Sequence, residues 1–347
     1  MTGRWYTRED DRGVTCTLCA HGCRIKPGRL GRCGVRENRE GSLVSRIYDG
    51  GRGLIVAQNV DPIEKKPLYH VQPGSLSFSV ACVGCNLDCD FCQNAQIAQW
   101  PVTTPKEQGL PGEWIEPREL VDQAVAAGCT SISYTYTEPT VYLEVVEDTA
   151  KLARRTGLLN LMVTNGFMGP DARESMIPLV DGANVDLKAF RDDFYKTHCR
   201  ARLAPVLETL EALKRGGVWV EVTTLVIPGL NDDPGELAEL AAFIAERLGR
   251  ETPWHISRFH PCHRRTDRGP TPLETLEQAA GMGRAAGLDF VYLGNVPGSD
   301  FQHTHCPACA TPVVVRQGYQ TQNHLSPSGA CPGCGAQLPG RFGVSGR

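Results

Sequence analysis

Fifteen cysteines in 347 residues, twelve of them in three tight groups of four, constrain this chain more than any other feature. The groups are Cys16, Cys19, Cys23 and Cys33; Cys82, Cys85, Cys89 and Cys92; and Cys306, Cys309, Cys331 and Cys334. Cys129, Cys199 and Cys262 stand alone. The total is odd, the N-terminus is polar, and no apolar run nears the roughly 18 residues that span a bilayer. A cytoplasmic setting with no membrane partner is therefore expected, and there thiols bind metal rather than pair as disulfides. A net charge of −3 with 22% charged residues gives no bulk attraction to nucleic acid or anionic membrane.

The pattern between the groups sets the fold class. Residues 1–72 are rich in Gly and Arg and read as a small N-terminal Cys-rich metal-binding lobe. Over 73–298, strand-like runs at Ser77–Cys82, Ser131–Tyr136, Leu159–Thr164, Ala183–Leu187, Trp219–Ile227, His255–Phe259 and Phe290–Leu293 alternate with amphipathic stretches. The latter are Arg118–Ala127, Thr140–Arg155, Ala204–Arg215, Gly235–Leu248 and Leu273–Ala286. Such βαβ alternation predicts an α/β fold, a parallel sheet curled into a partial (β/α) barrel, with a doubly wound open sheet as the alternative. The Pro-containing segment Gln93–Pro117 is long for a connection and is expected to cover a site. Residues 299–347 lose helical periodicity and read as a zinc-ribbon-like C-terminal lobe.

Cys85, Cys89 and Cys92, spaced x3 and x2, directly follow the first predicted barrel strand, where barrel loops carry active sites. Three thiolates from one short loop suit a [4Fe-4S] cluster with one iron left open. Cys82 could close that cluster as a fourth ligand; alternatively, Phe78, Val80 and Cys82 alternate on one strand face and the cysteine is buried and structural. Cys16, Cys19, Cys23 and Cys33 offer four thiolates that saturate a metal, either zinc or a second Fe-S cluster, or remain free or redox-active; His21 reads as a bystander.

Polar residues at the ends of the later strands are candidates to hold a ligand beside the cluster. Glu138 could accept a hydrogen bond from an amino group or merely start a helix. Asn165 precedes a glycine that permits close backbone approach. Asp186 and Lys188, at i and i+2, share a strand face and could face the ligand or pair with each other. His260 could contact adenine or ribose, or be a surface histidine.

The Cys-x3-Cys-x2-Cys spacing, with Phe91 before the last cysteine and a barrel after it, resembles the radical S-adenosylmethionine (SAM) superfamily. The ordered motifs Tyr136-Thr-Glu-Pro139, Thr164-Asn-Gly166, Asp186-Leu-Lys188, Ile227-Pro-Gly229 and Arg258-Phe-His260 resemble the relatives of pyruvate formate-lyase activating enzymes. A resemblance spanning nearly the whole chain is to the AmmeMemoRadiSam radical SAM enzymes. It is carried by Cys16-x-Leu-Cys19-x-His-x-Cys23, Asp61-Pro-Ile-Glu-Lys-Lys-Pro-Leu-Tyr69, Cys92-Gln-Asn94, Gly294-Asn-Val-Pro-Gly298 and the terminal Cys-Pro-x-Cys pair. These resemblances imply reductive cleavage of SAM at the open iron to a 5′-deoxyadenosyl radical that abstracts hydrogen from a protein or peptide substrate. They also imply a flavodoxin or ferredoxin reductant and Memo-like partner proteins. Val163 and Thr223 depart from the activase pattern, which often has an acidic residue and an arginine there, so glycyl-radical installation stands only as an alternative. A non-catalytic iron-sulfur or zinc protein is a third reading, and it predicts a closed cluster.

Cys306-Pro-Ala-Cys309 and Cys331-Pro-Gly-Cys334, 21 residues apart, form two knuckles of zinc-ribbon type, with redox thiols or a cluster as alternatives. From Ser299 onward the charged residues are Asp300, Arg316, Arg341 and Arg347, a thin basis for binding nucleic acid, so this lobe is expected to dock a protein.

Overall fold

A computed structural model describes residues 4–343, so the outermost few residues of both expected terminal lobes lie outside it. Behind a two-residue edge strand, Tyr48–Asp49, the sheet's first long strand is β1 (Arg52–Pro62), an 11-residue strand that the sequence pattern did not single out. It continues through β2 (Leu76–Cys82), β3 (Ser131–Tyr134), β4 (Leu159–Thr164), β5 (Gly182–Asp186), β6 (Trp219–Val226), β7 (Trp254–Arg258) and β8 (Val291–Gly294). Strands β2 to β8 are parallel and lie in chain order, while β1 pairs antiparallel with β2. A doubly wound sheet reverses its order at a switch point; this one never reverses.

The connections carry α1 (Pro117–Ala126), α2 (Leu143–Arg155), α3 (Pro170–Met176), α4 (Ala204–Arg215), α5 (Pro234–Phe243) and α6 (Leu273–Ala285). With right-handed crossovers and sequential strands, all of them fall on one face, and α1 packs on α2, α2 on α3, α3 on α4, and α5 on α6. The result is a partial barrel with helices outside and polar side chains inside. Helix starts follow local chemistry: Pro234 enters α5 at its first turn while the Asp233 carboxylate accepts from Glu236 N at 2.9 Å. Strand β3 stops two residues short of the predicted end because Tyr136 adopts φ +62°, turning the chain into Glu138.

Segment 93–117 holds two short helices, Ala95–Ala98 and Trp100–Thr103, then a strand, Glu113–Ile115, that pairs with β1. It straps the N-terminal cysteine region to the barrel. Pro101 lies against Gly34, and Gln99 Nε2 donates to Leu87 O at 2.8 Å. The apolar residues around Cys16 and Cys33 belong to the same contiguous core as the barrel, whereas Cys306, Val313, Val314, Leu325, Cys331 and Leu338 form a separate small core.

That C-terminal part plugs the barrel at the N-terminal ends of its strands. Near the start of β6, Glu221 accepts from Tyr69 N, His70 N, Trp219 Nε1 and His255 Nε2 at 2.6–3.0 Å. His70 bonds Pro339 O (2.8 Å) and Tyr292 Oη (2.7 Å). Arg316, 2% exposed, donates to Tyr69 O and stacks over the Tyr69 ring. One of the three arginines that this segment could offer a nucleic acid is thus buried against the barrel.

Candidate active site

Cys85, Cys89 and Cys92 sit on the loop leaving the C-terminal end of β2, at the barrel mouth opposite the plug. Five separate segments fasten that loop. Gln99 holds Leu87 as above, and His21 Nε2 bonds Asn86 O at 2.7 Å. Asp88 N and Asp90 N donate to Cys199 O and His198 O, both at 3.1 Å. Arg264 N donates to Asp90 O, and the Arg265 guanidinium pairs with the Asp90 carboxylate. Finally, Asn86 Nδ2 donates to Phe167 O. A loop bound this thoroughly is preorganised to hold three thiolates in one geometry.

The sequence-predicted ligand residues divide into four kinds. Asn165 lies against the loop, its Nδ2 donating to Asn86 Oδ1 at 2.8 Å and standing 3.7 Å from Cys85 Sγ. Lys188 and Asp186 form a 2.8 Å ion pair, with the ammonium 5.9 Å from the Phe91 ring centroid. Glu138 is 1% exposed and heavily committed: Oε1 accepts from Thr140 N, Thr140 Oγ1 and Thr164 Oγ1, and Oε2 from Asn165 N. Its carboxylate caps the Pro139–Tyr142 turn and fixes Asn165, and burial pushes its carboxyl up despite these donors. His260 is exposed, and among the described residues no hydrogen bond or ion pair ties it to the cysteine loop.

Cys82 is wholly buried, and burial raises its thiol. Its ionic neighbours are Glu144 and Arg36, whereas those of Cys85 are Glu138, Cys89 and Cys92. The cysteines that do reach the triplet are two the sequence left alone. The Cys199 thiol donates to Cys89, and together with Lys188 it holds Cys89 below the usual thiol range although the site is buried. Cys262 Sγ donates to Phe91 O at 3.1 Å. Cys199 gets there on a single π-helical turn, Tyr195–Cys199, closed by Arg200 at φ +57°. No signal in the sequence marks such a turn.

The donor set fits a cluster with a bound ligand. The three thiols are not drawn together as around one ion: among the described residues, only Cys306, Cys309, Cys331 and Cys334 have ligand atoms all within 4.8 Å of one another. On the triplet's loop, Asp90 Oδ1 is buried without a hydrogen-bond partner, and on β6 so is Oγ1 of Thr223, the register partner of Asp186. Buried polar atoms left open in this way are expected where a ligand supplies the partner.

In the C-terminal quartet, Cys306 and Cys334 lie 3.7 Å apart, as do Cys309 and Cys331. The turns after the two knuckles match, with Ala310 at φ +62° and Gly335 at φ +76°. The arrangement is that of a tetrahedral metal site.

Comparison with known proteins agrees with this geometry. Residues 79–241 match the model of the radical SAM superfamily. An uncharacterised protein of Methanocaldococcus jannaschii is 44% identical over 312 residues, covering 90% of either chain. The isethionate sulfite-lyase activating enzyme of Nitratidesulfovibrio vulgaris is 24% identical, covering 78% of this chain and 89% of its own. Among solved structures, a radical SAM methyltransferase from Sphaerobacter thermophilus superposes with a TM-score of 0.50 at 19% identity, covering 65% of this chain and 68% of that one. Superfamily membership implies a [4Fe-4S] cluster and SAM. With a matching cysteine loop, a sequential parallel sheet and a relative along nine-tenths of its length, the chain belongs to the radical SAM superfamily.

Proposed function

We propose that this protein is a radical SAM enzyme acting on a protein or peptide. Cys85, Cys89 and Cys92 would hold the cluster and leave one iron open. A [4Fe-4S] cluster bound there supplies the electron that splits SAM into methionine and a 5′-deoxyadenosyl radical able to abstract hydrogen. The observation that carries this reading is the fastened three-thiol loop at the barrel mouth, with its buried and unpartnered Asp90 Oδ1.

The chain's own residues have separable tasks. Asn165 positions the loop through Asn86, and Glu138 positions Asn165. Lys188 places positive charge toward the thiolates, and Asp186 steers that charge while offering a carboxylate to the SAM amino group. His260 is proposed to reach adenine or ribose only with ligand bound. The C-terminal four cysteines are proposed to bind zinc. Flavodoxin or ferredoxin would deliver the electron in a cytoplasmic setting; no helix among the described residues is long and apolar enough to cross a membrane.

The likeness to an enzyme that activates isethionate sulfite-lyase supports a protein substrate. The AmmeMemoRadiSam resemblance adds Memo-like proteins as proposed partners, and these are the first candidates to try as substrate. The test is isotopic: a perdeuterated Memo-like partner incubated with enzyme, SAM and reductant should yield deuterated 5′-deoxyadenosine. Cleavage of SAM with no deuterium transfer would reject that partner. A second reading, glycyl-radical activation, is favoured by the same relative. It requires a glycyl-radical electron paramagnetic resonance (EPR) signal on the partner after turnover.

A further inference from the structure

Cys16, Cys19, Cys23 and Cys33 lie outside the site just described, and their surroundings separate the two metals their spacing allows. All four cysteines line one small cavity of about 10 Å³, walled by Leu18, Ile25 and Val141 and by the side chain of Arg36. We infer that these four cysteines hold a second, fully thiolate-ligated [4Fe-4S] cluster rather than zinc.

The spacing of the sulfurs carries the distinction. Zinc binds thiolates at about 2.3 Å, so a tetrahedral site pulls its four sulfurs to within about 4 Å of one another. The C-terminal quartet has that compactness, its four sulfurs all lying within 4.8 Å of one another, whereas among the described residues no three of the N-terminal sulfurs do. In this respect it matches the Cys85, Cys89 and Cys92 loop, where superfamily membership implies a cube. A cube offers one iron to each thiolate, so its ligands stand apart around a body several atoms wide. The space between the N-terminal thiols accommodates a water-sized body, and four sulfurs gathered on a single ion would leave none.

Arg36 supplies an independent observation. It is 1% exposed, and its guanidinium is held by the Glu144 carboxylate at 2.5 and 2.6 Å and by Val141 O at 2.9 Å. Its Nε–H has no partner. A buried N–H left open on the wall of a sulfur-lined cavity is suited to a sulfide or thiolate of a cluster, whose negative charge the guanidinium also offsets.

With four thiolates, every iron is satisfied and none is open to SAM, so this cluster exchanges electrons and does not cut SAM. Its placement agrees. Gly84 packs so closely on the N-terminal region that a Cβ there would lie 3.1 Å from Cys33 O, and His21 bonds Asn86 O. Gly84 and Asn86 are the two neighbours of Cys85, so only one layer of chain separates the two sites.

The test is metal content with EPR on the full chain, reconstituted anaerobically with iron and sulfide. The wild type should carry about eight irons and about one zinc. The Cys85→Ala/Cys89→Ala/Cys92→Ala variant should keep about half the iron, and its reduced EPR signal should not move when SAM is added. The reciprocal Cys19→Ser/Cys23→Ser variant in the intact chain should lose about half the iron and retain a SAM-sensitive signal. Iron absent from the triple variant with about two zincs per folded chain, or a remaining signal that shifts with SAM, would overturn the inference. If the central site were the one without a cluster, the wild type would instead hold about four SAM-insensitive irons, which keeps that failure distinct. Should the triple variant not fold, wild-type iron of about four, all SAM-sensitive, would overturn it equally.

Discussion

At the barrel mouth the Cys199 thiol donates to Cys89, and with the nearby Lys188 ammonium this favours a charged Cys89 against the effect of burial. Cys82, three residues before the triplet, has no such connection; it faces Glu144 and Arg36 within the core. Replacing Cys82 with alanine should therefore leave iron content and SAM cleavage intact and cost about 1–2 kcal/mol of stability from a small cavity. Loss of cluster iron in a folded Cys82→Ala protein, measured by iron analysis and thermal melting together, would make it a ligand. At this scale the motif was legible from spacing alone, since three thiolates in one loop need no tertiary information to be recognised. Cys199 and Cys262 were not, because their proximity depends on a π-helical turn and on the return of the chain after β7, which join residues more than a hundred positions apart. The i, i+2 spacing of Asp186 and Lys188 placed them on one face and left open whether they turn to a ligand or to each other; here they form an ion pair. The commitment of Glu138 to Thr140, Thr164 and Asn165 could not be weighed until β3 and β4 were seen side by side.

Among the elements, the start of β6 holds the most consequential buried charge outside the mouth. Glu221 is fully buried, which by itself would raise its carboxyl, but His255, His70 and Trp219 bring it down to about 2. His70 is moved the other way by burial, down to about 4, and serves as a neutral ring between Pro339 O and Tyr292 Oη. Both shifts have one sign for stability. Between pH 6.5 and 4 the unfolded chain takes up a proton at His70 that the folded chain refuses, so stability falls as pH falls. Glu221 extends the loss below about pH 4.5, where the unfolded carboxyl protonates first. The His70 contribution is on the order of 3 kcal/mol across its window. Denaturant titrations of wild type and His70→Gln at several pH values should show the limb between pH 6.5 and 4 flattened in the variant; an unchanged limb would remove His70 as its source. The strands that build this network were largely visible as alternating apolar runs. The missing element was β1, whose run Arg52–Pro62 mixes polar and apolar residues because it lies at the edge of the parallel set and pairs antiparallel.

Across the whole molecule, three cysteine groups serve two ends of one barrel. The central and N-terminal groups meet at the mouth, through Gly84 and Asn86, while the C-terminal group folds a small core that plugs the far end through Arg316, Pro339 and Arg341. Distance separates their roles. Cys309→Ala should lower Tm by roughly 5–10 °C, a few kcal/mol for a chain of this size, with SAM cleavage per folded molecule unchanged. Differential scanning calorimetry paired with a cleavage assay checks both halves, and lost cleavage in folded protein would contradict the separation. Sequence showed the groups but not their grouping in space. It also left Arg316 looking like a surface charge, although its guanidinium lies over the Tyr69 ring.

The central claim is that Cys85, Cys89 and Cys92 form an open cluster site that cleaves SAM. Its most direct test is quantification of 5′-deoxyadenosine after anaerobic reconstitution, with dithionite and SAM, for wild type and Cys89→Ala. Wild type should form 5′-deoxyadenosine, and Cys89→Ala should form none above background. A wild-type protein with an intact cluster that forms no 5′-deoxyadenosine, or a Cys89→Ala variant that forms it at the wild-type rate, would contradict it.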